Sequence, residues 1–106
     1  MPAPSVQAAQ MGDLNALIYD YENPGDILPM HNHDEATAHI VIVAKGSVVI
    51  LVQNPADGQV ASEYHEAGAV IDTFAGFPHG VVGVTAGSRT IHIRKKLSAP
   101  ANTSAP

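Results

Sequence analysis

No stretch of this chain repeats its apolar residues at the helical period of 3.6. Its apolar runs are short, and turn chemistry closes them: Asn23-Pro24-Gly25-Asp26, Lys45-Gly46, Asn54-Pro55-Ala56-Asp57-Gly58 and Thr85-Ala86-Gly87-Ser88. Turn signals recurring every ~8–12 residues between short extended segments point to an all-β sandwich or barrel. The spacing predicts strands over 15–21, 27–33, 38–44, 47–53, 59–65, 69–72, 80–84 and 89–96. Pro29 marks its strand as irregular or at a sheet edge, because proline cannot donate to a ladder. These patterns do not choose between sandwich and barrel.

Composition agrees. Of 106 residues, 45% are hydrophobic and only 14% charged, with nine Gly and eight Pro, as suits a turn-rich chain with many buried strands. The length is that of one domain with a real core and no second lobe. A formal charge of −5 argues against nucleic acid, which calls for a basic face. There is no cysteine, so neither disulfide nor thiolate chemistry is open to it. No run approaches the ~18 apolar residues of a membrane span, and the N-terminus lacks signal-peptide regions. The expectation is an unexported, cytoplasmic protein. Residues 1–12 and 98–106 read as tails, the first as a mobile segment or an arm that orders on a neighbour, leaving 13–97 as the domain.

Three of the six histidines lie between Gly25 and Gly46. His31 and His33 are two apart, so on a strand both point to one face. His39 opens the hydrophobic run Ile40 to Ala44. If 27–33 and 38–44 form a hairpin around the polar loop from Asp34, His39 comes beside that pair. Imidazoles converging from paired strands are one way a rigid scaffold presents nitrogen ligands to a transition metal.

This stretch resembles the first motif of the cupin family: Gly, five residues, His-x-His, a short spacer, Glu, six residues, Gly. Gly25, His31-Asn32-His33 and Gly46 fit, and the position usually held by Glu is His39. The spacer is one residue longer than usual. A looser second motif follows, with Gly68 and the run Phe74-Ala75-Gly76-Phe77-Pro78-His79, where Phe74 replaces the usual Pro. The resemblance covers roughly positions 15 to 96. It implies a double-stranded β-helix, or jelly roll, with histidines at the open end of the barrel.

It also implies a metal site of His31, His33, His39 and His79. Glu35 is the rival for the third position, read more simply as a solvated loop acid. Four neutral imidazoles would leave a divalent ion its full charge, more electrophilic than with a carboxylate in the set. Imidazole suits Fe, Mn, Ni, Cu and Zn alike, so the sequence does not name the ion. Outside the motifs, His65 reads as exposed. His92, between Ile91 and Ile93, faces opposite to them, as a cavity group or a satisfied structural histidine. His92 and Tyr19 are the candidate acid–base residues. Arg89, Arg94, Lys95 and Lys96 read as a solvated strand end, the alternative being a basic barrel mouth that greets an anionic substrate. No Gly-x-Ser-x-Gly elbow or phosphate-binding glycine loop is present.

The leading functional expectation is a metal-dependent oxygenase of dioxygenase type acting on a small oxygenated molecule, because neutral His-rich sites resemble those of the family's dioxygenases. The alternatives are a metal-dependent lyase or isomerase of a carbonyl compound or sugar acid, and a non-catalytic metal or small-ligand binding module. A homodimer is expected, since the apolar strand Ala16-Leu17-Ile18 would need its edge covered.

Overall fold

The structure, a computed structural model, describes residues 2–32, 37–72 and 77–96. Among these residues there is no helix. Nine strands are present: β1 (Ser5–Met11), β2 (Leu14–Tyr21), β3 (Ile27–His31), β4 (Thr37–Lys45), β5 (Ser47–Gln53), β6 (Val60–Glu66), β7 (Val70–Asp72), β8 (His79–Gly83) and β9 (Ser88–Lys96). They form a five-stranded sheet in the order β1-β2-β9-β4-β7 and a four-stranded sheet in the order β3-β8-β5-β6. Every pairing is antiparallel. This is the all-β architecture expected from the turn spacing, and the jelly roll that the cupin resemblance implies.

The alternation of side chains builds the core. Along β4, His39, Val41 and Val43 are buried while Ile40 and Ile42 are only half-buried. Tyr21, Val41, Val43, Val48, Ile50 and Val81 come from both sheets and close into one apolar cluster. Burying a Val or Ile side chain contributes roughly 1.5–3 kcal/mol, so this cluster holds the two layers together. Close packing sets the residue type at position 83. A Cβ there would lie 2.6 Å from the Cβ of Tyr21, so the strand passes the ring only as glycine. Below the core, Ser88 ties the sheets together. Its buried hydroxyl accepts from the Ser47 N–H at 3.0 Å and shares its proton between Thr85 O and Ser47 O.

Two expectations need revision. Strands 27–33 and 38–44 are not a hairpin. β3 pairs with β8, whereas β4 pairs with β9 and β7, so the chain changes sheets between them. Residues 33–36, which carry His33 and Glu35, lie outside the described residues. The segment read as an N-terminal tail contains β1, paired along its length with β2 through a two-residue turn at Gly12-Asp13, with Gly12 at φ 60°. Every residue of β1 is exposed, so backbone pairing rather than side-chain burial holds it. The edge of β2 is therefore covered from within the chain. Residues 97–106, most of them the second expected tail, also lie outside the described residues. Pro29 sits where expected, on an edge strand whose register shifts between Leu28 and His31.

Candidate functional site

β3 and β8 set His31 directly opposite His79, and their ring centroids are 4.5 Å apart. From the other sheet, β4 brings His39 to 5.3 Å from His79, and β9 brings His92 to 5.3 Å from His39. Four imidazoles thus form a chain across the gap between the layers. His79, His39 and His92 are buried, and His31 is half-buried.

The ring nitrogens are oriented by what they touch. Nδ1 of His31 lies 2.8 Å from Pro29 O, and Nδ1 of His79 lies 3.1 Å from Phe77 O. A carbonyl oxygen only accepts, so Nδ1 carries the proton in both rings and Nε2 carries the lone pair. This anchoring of one imidazole nitrogen by a carbonyl is the support that metal-ligating histidines commonly have. Burial lowers the pKa of His79, with the Phe77 carbonyl opposing and His31 adding to the shift. The ring is kept neutral, the form that can donate a lone pair.

Beside these rings opens a cleft of about 260 Å3. Leu17, Leu28, Pro29 and Met30 form its apolar wall, and Tyr19, His31, His39, His92 and Arg94 its polar wall. Tyr19 stands edge-on to His92, with centroids 4.8 Å apart. Burial raises the pKa of Tyr19, against the lowering effect of the Arg94 charge, so its hydroxyl stays protonated. A larger cleft of about 360 Å3, floored by Ile50, Val52, Ile71 and Phe77, carries Asp57, Glu63 and Asp72 and no imidazole. It is remote in chemistry from the histidines.

Of the four expected ligands, the structure brings His31, His39 and His79 together, and His33 lies outside the described residues. Among the described residues no three His, Asp or Glu side chains form a group that could hold an ion. The donor chemistry nonetheless suits a transition metal: clustered imidazoles, with two rings anchored at Nδ1. His92 takes a place at the cleft that its sequence position only half suggested. Arg94, read as part of a solvated strand end, is directly opposite His39 and lines the cleft. Its alternation with His92 and Thr90 along β9 was the available signal. Arg89, by contrast, is exposed and paired with Asp20 at 2.7 Å. His65 is half-buried on β6, 3.1 Å from Glu63, and away from the cleft.

Two sheets closed face to face, with histidines from both layers beside a cleft, make up a jelly-roll domain. No protein-family model and no curated protein sequence matches the chain. Among solved structures it is similar to KdgF from Halomonas sp., with 20% identity and a TM-score of 0.70 over 86% of this chain and 76% of that one. It is also similar to Bacillus subtilis oxalate decarboxylase, a protein with Mn(II) centres, with 15% identity and a TM-score of 0.75 over 92% of this chain and 27% of that one. The Lactobacillus farciminis oxalate decarboxylase formate complex gives 15% identity and a TM-score of 0.75, over 92% and 30%. The chain therefore spans less than a third of either decarboxylase. Both kinds of neighbour are cupins, and the fold of this chain is that of a small cupin domain. Among the described residues no helix is long and apolar enough to cross a membrane.

Proposed function

We propose that the protein is a metal-dependent cupin enzyme that acts on a small oxygenated anion, with His31, His39 and His79 as metal ligands and His33 as the fourth. The observation that carries this reading is the pair His31 and His79, opposed across two strands, each with Nδ1–H fixed on a backbone carbonyl. The Mn(II) centres named for one neighbour support a divalent ion, and its oxalate supports a small carboxylate as the substrate class. A bound divalent ion would polarise a substrate oxygen.

The chain's own residues do the rest. Arg94 supplies the positive charge that draws a carboxylate into a cleft with one apolar wall. Leu17, Leu28 and Met30 exclude water around it. Tyr19, with its hydroxyl held protonated, and His92 beside it are placed to handle a proton. These groups favour a lyase or isomerase working on a carbonyl compound or sugar acid. The dioxygenase reading rests on a different observation, an all-imidazole donor set with no carboxylate among the described cleft residues. Metal analysis of the purified protein, then a screen of small keto and sugar acids with and without oxygen, separates the two. Turnover without oxygen supports the lyase or isomerase, and oxygen uptake supports the dioxygenase. Stoichiometric metal with no turnover would leave a binding module. Absence of metal after loading with Mn, Fe, Ni, Cu or Zn would refute the site.

A further inference from the structure

His92 does not share the environment of the other rings. Its Nε2 lies 2.9 Å from Thr90 Oγ1, and that hydroxyl lies 3.0 Å from the hydroxyl of Tyr21. Tyr21 and Thr90 are fully buried. The three groups form a line from the core to the cleft wall, joining β2 to β9 across 69 positions of sequence.

The polarity of this line can be deduced. Among the described residues, Tyr21 OH has one hydrogen-bond partner, Thr90, and Thr90 Oγ1 has two, Tyr21 and His92. Burial raises the pKa of Tyr21 further than the Thr90 hydrogen bond lowers it, so the phenol keeps its proton. If His92 donated to Thr90 and Thr90 to Tyr21, the phenol proton would be buried with no acceptor. A buried unsatisfied donor is costly enough to exclude that arrangement. Tyr21 therefore donates to Thr90, and Thr90 donates to His92 Nε2.

We propose that this buried hydroxyl line fixes the proton of His92 on Nδ1, so that His92 serves the cleft as a hydrogen-bond donor to a bound carboxylate and not as a metal ligand through Nε2. In His31 and His79 the same tautomer is set from the other side of the ring, by a carbonyl on Nδ1, which leaves Nε2 as the ligating nitrogen. In His92 the hydroxyl occupies Nε2, so the proton lies on Nδ1. Beside Arg94 and the Tyr19 hydroxyl, His92 adds a third donor to the polar wall, which suits an anion. Thr90 and Tyr21 are positioning residues that act through His92. The tautomer follows from the hydrogen-bond line alone, while the ligand role rests on the function proposed above.

The test is long-range 1H–15N correlation on the 15N-labelled, metal-free protein, with the His92 signals assigned by their loss in His92→Gln. The expected result is a protonated Nδ1 and an unprotonated Nε2 at His92. Thr90→Val removes the hydroxyl at constant shape and should release the ring into a mixture of tautomers. Thr90→Ser should restore the parent pattern, and it serves as the folded control if the valine variant fails to fold. A His92 protonated on Nε2 in the parent, or a pattern unchanged in folded Thr90→Val, would overturn the proposal. A second readout uses Mn(II) loading and pyruvate as the probe. His92→Gln should keep the parent's metal content but bind pyruvate about tenfold more weakly, the worth of one hydrogen bond to a charged group. Loss of metal from His92→Gln would make it a ligand and defeat the proposal. Unchanged pyruvate binding in His92→Gln would defeat the donor role. A parent protein that takes up no metal defeats the proposed function instead, and leaves the tautomer assignment standing on the spectra.

Discussion

His31 and His79 face each other across β3 and β8, and each donates its Nδ1–H to the carbonyl two residues earlier in the chain. The two rings are thus held alike by a local backbone device, repeated on neighbouring strands, which presets both Nε2 atoms as lone-pair donors. Metal stoichiometry should respond accordingly. His31→Ala, His39→Ala and His79→Ala should each weaken binding tens-fold or more, beyond the ~10–100-fold seen for losses in the surrounding support. Glu35→Ala should bind as the parent does. The check is metal content after dialysis against a buffered ion. A parent-like His39→Ala together with a metal-poor Glu35→Ala would put a carboxylate in the third position.

Acid should weaken the fold through His79. Burial holds its pKa below the usual value, whereas in the unfolded chain it takes a proton near ~6.5. Above that pH the ring is neutral in both states and makes no difference. As the pH falls through ~6.5 the unfolded chain binds the proton first, so stability declines until the folded ring is protonated too. Urea midpoints of the metal-free protein should therefore be lower at about pH 5.5 than at about pH 7.5, and His79→Gln should narrow the gap. An equal gap in parent and variant would show that other groups cause it.

Gly83→Ala should destabilise. The added carbon would sit 2.6 Å from the Cβ of Tyr21, which is buried in the core and cannot withdraw. Overpacking of this kind costs about 1–3 kcal/mol, which calorimetry would read as a lowered Tm. A Tm equal to that of the parent would mean that the strand can shift without cost.

We further propose that the protein pairs through β1. The structure moves the open edge of the five-stranded sheet from β2 to β1, a fully exposed strand of sequence SVQAAQM with no charge and no proline. Edges lacking such protection tend to pair with another chain. Sedimentation velocity at micromolar concentration should give a dimer, and Ala8→Lys with Gln10→Lys should shift it toward monomer. A monomeric parent would end the idea.

Much of this is legible in the sequence, for reasons particular residues make plain. Turn chemistry at 54–58 and the hydrophobic run Ile40 to Ala44 are local signals, and both point to strands where the structure has them. β1 carried no signal because none of its residues is buried, and periodicity detects only burial. The turn Gly12-Asp13, set between Met11 and Leu14, was the clue that remained. The supposed hairpin failed because adjacency in sequence does not say which sheet a strand joins. His92 could be placed on a face by its alternation with Ile91 and Ile93. Its role stayed open because Tyr21, which orients it through Thr90, is far away in the chain. The choice between a solvated strand end and a cleft mouth for Arg94 stays open in the sequence for the same reason, since its neighbour His39 lies on another strand.

The change of sheet between β3 and β4 makes the site a gauge of layer spacing. His31 and His79 belong to the four-stranded sheet, and His39 and His92 to the five-stranded one. An ion gripped by both would act as a rivet through the sandwich, and any force that spreads the layers would be felt as looser grip. Thinning the core at Val41 or Val81, neither of them a proposed ligand, should therefore change metal affinity as well as stability.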